Sequence, residues 1–237
     1  MPEPEPNGHP ILAQAEEWGA ALALLPIAAT IDYYALPDWL QSQPLVQFAP
    51  QLIGYLGFAV WAAHNRSIGA RIGLQMSQWS RGAKLGVLTG VLLGCVNTLV
   101  ILRLIPSWGW DITFLKETPH AQVPVLIMVP WFISVIALLV ELNFRGFLLG
   151  RLAALESSMW RRPMLRRLSP LALLTSALVF AFDPFMVTTF QHLHGIALWD
   201  GLVWGLLWLF TRNLYATIVA HAVEVILVYS AVRAALM

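Results

Sequence analysis

The sequence predicts an all-α fold, a polytopic transmembrane helical bundle with about seven spans. Of its 237 residues, 58% are hydrophobic and 11% are charged, whereas a soluble domain is roughly 45–50% apolar and about 25% charged. Apolar stretches long enough to cross a bilayer, which takes about 20 helical residues, recur along almost the whole chain. The chain is therefore expected to be an integral membrane protein in contact with the lipid bilayer.

These apolar stretches leave no room for a separate soluble domain. We predict a disordered N-terminal tail at residues 1–15 and a single transmembrane domain at residues 16–237. The opening segment, MPEPEPNGHP, lacks the basic start and the small-residue cleavage site of a signal peptide. The first apolar stretch is therefore expected to remain as a membrane helix.

Seven spans are predicted, and polar or aromatic segments separate them. In chain order the spans are approximately residues 18–34, 46–64, 82–104, 123–152, 168–187, 196–210 and 214–237. The segment 65–84 is too polar to cross and is expected to lie along the membrane surface. Gly86, Gly90 and Gly94 recur every fourth residue in the third span, which is typical of close contact between two helices.

Prolines mark the irregular places in this pattern. Pro26 removes one backbone hydrogen bond inside the first span, so it is expected to bend that helix. The segment 105–122 contains Pro106, Pro119 and two tryptophans, which predicts a loop with aromatic side chains at the membrane interface. Pro184 is placed to break the fifth span near its end.

Basic residues set the predicted orientation. Five arginines crowd into the connection between the fourth and fifth spans: Arg151, Arg161, Arg162, Arg166 and Arg167. Because short loops rich in lysine and arginine stay in the cytoplasm, this connection is predicted to be cytoplasmic. Alternating the spans backward places the basic segment 66–84 and the N-terminus on the same side. The expected location is a bacterial cytoplasmic (inner) membrane.

The stretch VELNFRGFLLGR, residues 140–151, places charges inside an apolar run. Glu141 and Arg145 are four residues apart, so in a helix they share a face and can form an ion pair. Because charge at bilayer depth is costly unless it is paired or faces a wet cavity, an acid and a base there indicate a functional site. An internal clamp between helices is the alternative interpretation.

Depth in the membrane indicates which polar residues can meet. Glu141 lies ten residues before Arg151, and His221 lies nine residues after Arg212. At about 1.5 Å per residue, both then lie about 14 Å from the cytoplasmic boundary. Glu224 is one helical turn deeper than His221 and close enough to line the same cavity. We therefore expect these three side chains to share one site.

The run LLVELNFRGFLLGRL resembles the first signature of the CPBP family, the CAAX protease and bacteriocin-processing enzymes, which are type II CAAX prenyl endopeptidase-like. That signature reads Glu-Glu-x-x-x-Arg. Upstream, RIGLQMSQWSRGAKLGVLTGVLLG is similar to the surface segment and glycine-rich helix that precede it. Downstream, SALVFAFDPFM and GLVWGLLWLFTRNLYATIVAHAVEV stand where two histidine motifs are expected. The resemblance covers residues from about 66 to 229 and implies an intramembrane endopeptidase.

The resemblance also shows departures that concern the chemistry. Four residues match the motifs in the expected places: Glu141, Arg145, Phe180 and His221. In the family, the leading glutamate of the first motif and the histidine of the second are thought to activate a water molecule. Polar residues of the third motif help to bind the oxyanion. Here those first two positions are Val140 and Pro184, and Val225 replaces the asparagine of the third motif.

A hydrolase with these replacements needs another arrangement of groups. Glu141 is a candidate base that takes a proton from water, and His221 then orients the water or stabilises the oxyanion. Arg145 would keep the helix of Glu141 in register. Glu224 or Asp183 would orient the histidine.

Three functions stay open on the sequence alone. The first is an intramembrane endopeptidase that hydrolyses a peptide bond in a membrane-associated or prenylated protein. The second is a catalytically inactive CPBP homologue, a membrane scaffold that binds a partner helix or peptide, which the two lost positions favour. The third is a transporter with Glu141, His221 and Glu224 as a proton relay, which predicts an internal repeat that the two halves do not show.

Other ligand classes are not supported. His192 and His194 in FQHLHG are two residues apart and would bind a metal only with Asp183 or Asp200. No HExxH motif or second cysteine accompanies them, so we predict interfacial histidines, no metal and no cofactor. The net charge of +1, with basic residues in short clusters, argues against nucleic-acid binding.

Overall fold

A computed structural model describes residues 19–159 and 163–236 of the chain. Within these two ranges every regular element is a helix and no strand forms, which confirms the predicted all-α bundle. The tail predicted at residues 1–15 lies outside the described residues.

Seven long helices, labelled α1 to α7, form the described bundle. They are α1 (Gly19–Tyr34), α2 (Pro44–Ala63), α3 (Trp79–Leu99), α4 (Val125–Ser157), α5 (Pro170–Ala181), α6 (His194–Thr211) and α7 (Leu214–Leu236). Two π-helical segments, Met128–Ile133 and Leu142–Leu149, lie within α4. Two further turns, Val100–Leu104 and Ile105–Ser107, extend α3. Short helices in the connections include Asp38–Gln41, Ile68–Ile72, Thr113–Glu117, Pro163–Leu168 and Pro184–Phe190.

Five continuous helical stretches in the described ranges are long and apolar enough to cross a membrane. They are Pro44–Ala63, Ile68–Ser107, Val125–Ser157, Pro184–Thr211 and Leu214–Leu236. The apolar helices Ala21–Tyr34 and Pro170–Ala181 are shorter. The chain is thus an integral membrane protein, and the count of seven spans stays a prediction.

The fifth predicted span is divided where the proline predicts a break. Helix α5 ends at Ala181, and a short helix begins at Pro184. The Asp183 carboxylate caps this second helix by accepting a hydrogen bond from the Phe185 N–H at 3.1 Å. Proline fits the first turn of a helix, because an N–H at that position would have no partner within the helix.

The glycine stripe predicted in the third span packs directly against α7. A Cβ atom added at Gly86 would lie 2.6 Å from the Ala216 carbonyl oxygen, and one at Gly90 would lie 2.6 Å from that of Ala220. Only glycine permits two helix backbones to approach this closely. The contact fixes the depth and rotation of α7, which carries His221, relative to α3.

The two basic clusters meet at one end of the bundle. The segment that holds Arg71 contacts the chain near both Arg212 and Arg151. The Leu214 N–H, beside Arg212, donates to the Gly73 carbonyl at 2.9 Å, and a Cβ added at Gly146, one turn before Arg151, would lie 3.4 Å from Ile72. The Arg151 guanidinium lies 4.4 Å from the centre of the Trp61 ring, and that of Arg212 lies 4.6 Å from the centre of the Trp208 ring. Because successive spans cross the membrane in opposite directions, the sequence also predicts that the two basic clusters lie at the same end of the bundle. Its cytoplasmic location stays a prediction.

We expect Gly90→Ala to lower the thermal unfolding midpoint of the protein in detergent. The added methyl group would meet a backbone oxygen that moves only if α7 moves, and overpacking of this kind costs about 1–3 kcal/mol. The matched control is Gly195→Ala near the start of α6, where an added Cβ meets no atom within 4 Å. Equal midpoints for the two variants would contradict the close α3–α7 contact.

Candidate functional site

The ion pair predicted in span four is present in α4. The Arg145 Nη1 lies 3.2 Å from the Glu141 Oε1, and the two side chains are 1% and 0% exposed. Arg145 belongs to the π-helical segment Leu142–Leu149, which begins directly after Glu141. Such segments are rare and occur frequently at functional sites. Because neither charge reaches solvent, each depends on the other for compensation.

His221 on α7 binds the same carboxylate. Its Nδ1 lies 3.0 Å from the Glu141 Oε1, so one oxygen atom joins α4 to α7. In the tautomer that satisfies this bond, Nδ1 carries the proton and donates it, and Nε2 is an acceptor. The imidazole also stacks on the Trp204 ring of α6, with ring centres 4.3 Å apart. Three helices therefore fix the orientation of the imidazole.

A cavity of about 620 Å³ lies beside this contact. Most of its wall is apolar, and all of the helices from α2 to α7 contribute to it. Val140, Trp204 and His221 line the cavity, whereas Glu141 and Arg145 do not. A ligand in the cavity would therefore meet the imidazole, and the Glu141 carboxylate would contact that imidazole from the far side.

Two further acidic side chains, Asp200 on α6 and Glu224 on α7, line the same cavity. The Asn97 Nδ2 on α3 donates to the Asp200 Oδ1 at 2.9 Å and to the Glu224 Oε1 at 2.5 Å. The two carboxyl groups therefore share one buried amide donor. Because two carboxylates that share a site repel each other, one of them is expected to hold a proton. The pair thus provides an exchangeable proton at the cavity wall.

Sequence reasoning missed Asn97 and Trp204, and it considered Asp200 only as a metal ligand. Asn97 follows Gly94 by three residues, so it lies on the glycine face, and a polar residue on that face of an apolar span was a usable signal. Asp200 lies inside the predicted span 196–210, where an ionisable residue is expected to point into the bundle. Trp204 gave no signal, because aromatic residues are common on apolar helices.

Asp183 does not reach the Glu141–His221 contact. Its Oδ1 accepts a hydrogen bond from the Gln51 side chain at 2.8 Å, in addition to the backbone bond that caps the following helix. Asp183 does not line the cavity. The side chain that contacts the His221 ring is instead the Glu141 carboxylate, so the role suggested for Asp183 stays a prediction without a supporting contact.

His192 lies just before α6 and His194 begins that helix, and neither side chain lines the cavity. The His192 ring packs edge-on against Trp110, with ring centres 5.0 Å apart. The Nδ1 of His194 lies 2.6 Å from the Gln191 carbonyl oxygen. Neither contacts the Glu141–His221 pair. Among residues 19–159 and 163–236, no three His, Cys, Asp or Glu side chains form a group that could bind a metal ion.

Residues 122–227 match the protein-family model described as Type II CAAX prenyl endopeptidase Rce1-like. The match confirms the resemblance seen in the motifs, and it includes the positions of Glu141, Asp200, His221 and Glu224. No curated protein and no solved structure matches the chain. The family is one of membrane proteases, which implies hydrolase chemistry on a membrane-associated protein substrate.

We expect Glu141→Gln to destabilise the protein strongly, because it leaves the buried Arg145 charge without its carboxylate. Breaking one partner of a buried pair costs about 3–5 kcal/mol. Arg145→Met should do the same, and the double variant should lose less than the sum of the two. Thermal unfolding in detergent measures all three, with Arg103→Met at an exposed position as the control. Additive losses in the double variant would contradict a direct Glu141–Arg145 interaction.

Proposed function

Because this chain carries the type II CAAX prenyl endopeptidase Rce1-like family segment at residues 122–227, we propose that it is an intramembrane endopeptidase. It hydrolyses a peptide bond in a membrane-associated or prenylated protein within a bacterial cytoplasmic membrane. The observation that supports this most is an imidazole at the wall of a large apolar cavity, fixed by a buried carboxylate at 3.0 Å.

His221 is the proposed general base. A histidine whose Nδ1–H donates to a carboxylate has its Nε2 directed away from that carboxylate, where it can take a proton from water. Glu141 is a positioning residue in this arrangement, because its side chain is completely buried and does not line the cavity. This division of roles differs from the one expected from the sequence, in which Glu141 itself was the base.

The Asp200–Glu224 pair supplies the second proton that the reaction needs. Water adds its oxygen to the peptide carbonyl carbon while its proton passes to the His221 Nε2. The C–N bond then breaks as the proton held by one of the two carboxyl groups passes to the leaving nitrogen. Transfer of the proton from His221 to the carboxyl pair restores the starting state, so protons balance over one turnover.

Arg145 keeps the Glu141 carboxylate ionised and in place. The guanidinium lies 4.5 Å from the centre of the Phe180 ring and 5.1 Å from that of Trp204, so aromatic faces cover it. Phe180 and Trp204 also line the cavity. The same two rings therefore separate the buried ion pair from a ligand in the cavity.

A second candidate function is a catalytically inactive scaffold that binds a partner helix or peptide. Val140 supports it, since this residue lines the cavity at the position where the family carries its leading glutamate. Pro184, at the second family position, begins a helix and offers no titratable group. A scaffold would use the apolar cavity for binding and the Glu141–Arg145 pair as a clamp between helices.

We expect His221→Gln to reduce peptide cleavage by roughly 100-fold or more, because the variant removes the general base. The probe is a library of quenched fluorescent peptides with apolar sequences, offered to the purified protein in detergent, with mass spectrometry to locate the cut. His194→Gln, a histidine outside the cavity, is the matched control and should retain activity. Cleavage that survives His221→Gln would contradict the proposed base. Peptide binding without any cleavage by the unaltered protein would favour the scaffold.

A further inference from the structure

We infer that the part of the cavity distant from His221 binds a carboxylate of the substrate, with Arg233 and Lys116 as its partners, and that this carboxylate lies about five residues from the scissile bond. The assignment of the carboxylate to a peptide that is cut at His221 rests on the proposed function. The preference for an acidic group rests on the charges in the cavity wall and does not depend on cleavage.

The charged side chains in the cavity wall are separated by sign. Among the described residues that line the cavity, Asp200 and Glu224 are the acids, and Lys116 and Arg233 are the permanently charged bases. The acids lie near the imidazole, because Glu224 is one helical turn from His221 and a single amide group binds both carboxyl groups. The described part of the wall therefore provides no carboxylate next to the two bases.

The distance between the imidazole and the guanidinium follows from α7. Arg233 lies twelve residues after His221, which is about 18 Å along the helix at 1.5 Å per residue. The lining residues between them follow His221 by three, four, seven, eight and eleven positions, so they share one face of the helix. Since an extended peptide advances about 3.3 Å per residue, about five of its residues cover this distance.

The Arg233 guanidinium is fixed at the cavity wall by neutral groups. Its Nη1 donates to the Tyr229 hydroxyl at 2.6 Å and to the Ala121 carbonyl at 3.3 Å. These acceptors position the guanidinium without neutralising its charge. A guanidinium has more N–H donors than these bonds use, so it can also donate to a carboxylate, a pairing that is stronger than a hydrogen bond between neutral groups.

Lys116 lies beside this group because the connection between α3 and α4 folds back on itself. The Gln122 side chain donates to the Lys116 carbonyl at 2.8 Å, and Ala121, the residue before Gln122, accepts the bond from Arg233. The Lys116 side chain is exposed, and Glu117, the acid that follows it, does not line the cavity. Two cations therefore border the same part of the cavity, where a carboxylate can contact both.

The wall between the acids and the bases determines the rest of the substrate. Most of it is apolar, so a charged side chain placed there would lose its hydration without gaining a partner. We therefore expect the residues between the scissile bond and the carboxylate to be apolar. The substrate is then a short apolar stretch with the scissile bond at one end and an acidic group at the other.

A glutamate scan of one apolar peptide tests this pattern. A single glutamate is moved one residue at a time along an otherwise apolar quenched peptide with an amidated C-terminus, and mass spectrometry locates each cut. We expect the cut to move with the glutamate at a constant separation of about five residues. Glutamine in its place should lower kcat/KM by about tenfold or more. A companion peptide with a free C-terminal carboxylate at the same separation distinguishes a chain terminus from an acidic side chain.

Variants of the two cations show whether they are the source of the preference. Lys116→Gln and Arg233→Gln should each remove most of the preference for glutamate over glutamine, and Lys116→Glu should favour a peptide with lysine at that position. The Lys116 variants change an exposed side chain, so they keep the test valid if Arg233→Gln fails to fold. The matched control is Arg103→Gln, at an exposed arginine outside the cavity wall, which should keep the preference.

A cut that stays in one place as the glutamate moves, or a preference that is equal in all of these variants, would overturn the inference. The two cations would then serve only the membrane surface, where long basic side chains commonly extend.

Peptide binding separates this inference from the proposed function. In the His221→Gln background the peptides stay uncut, and fluorescence anisotropy measures the affinity for the glutamate and glutamine forms. Tighter binding of the glutamate form that requires Lys116 and Arg233, together with no cleavage by the unaltered protein, would reject the proposed function and keep the carboxylate site. Equal affinity for the two forms would overturn the inference even where the unaltered protein cuts both.

Discussion

The structure of the site depends on one buried oxygen atom, the Oε1 of Glu141, which contacts both Arg145 and His221. A carboxylate away from water is tolerated only when positive charge and hydrogen-bond donors replace its hydration. Arg145 supplies the charge from the next turn of α4, and His221 supplies a donor from α7. The contact therefore specifies both the orientation of the imidazole and the position of α4 relative to α7.

The packing of α3 against α7 supports this contact from the other side. Because Gly86 and Gly90 permit the two backbones to touch, the helix that carries His221 and Glu224 has little freedom to slide or rotate. Asn97 lies on the same face of α3 and bonds to Glu224 directly. The glycine face of α3 therefore has two roles. It packs α3 against α7, and it carries the asparagine that binds the Asp200–Glu224 pair at the cavity wall.

The sequence predicted the meeting of Glu141 and His221 because depth in a membrane can be counted. Each lies about 14 Å from a basic boundary at 1.5 Å per residue, and α4 or α7 covers nearly all of that distance. The glycine stripe was predictable for a related reason, since a period of four residues keeps small side chains on one face.

The direction in which each side chain points from its helix could not be predicted from such a residue count. Adjacent residues point in directions about 100° apart, so depth alone does not say whether Val140 or Glu141 faces the cavity. The structure shows that Val140 does, which moves the proposed base from the glutamate to His221. Asn97, Asp200 and Trp204 join the site through three different helices, and their convergence depends on tertiary packing that no local pattern specifies.

The most direct test of the central contact is the protonation of His221, measured by nitrogen NMR on histidine-labelled protein, with His221→Gln used to assign its signals. We expect Nδ1 to carry a proton, because Nδ1 donates to Glu141. A neutral ring with its proton on Nε2 would contradict it, since such a ring has no Nδ1–H to donate to the carboxylate.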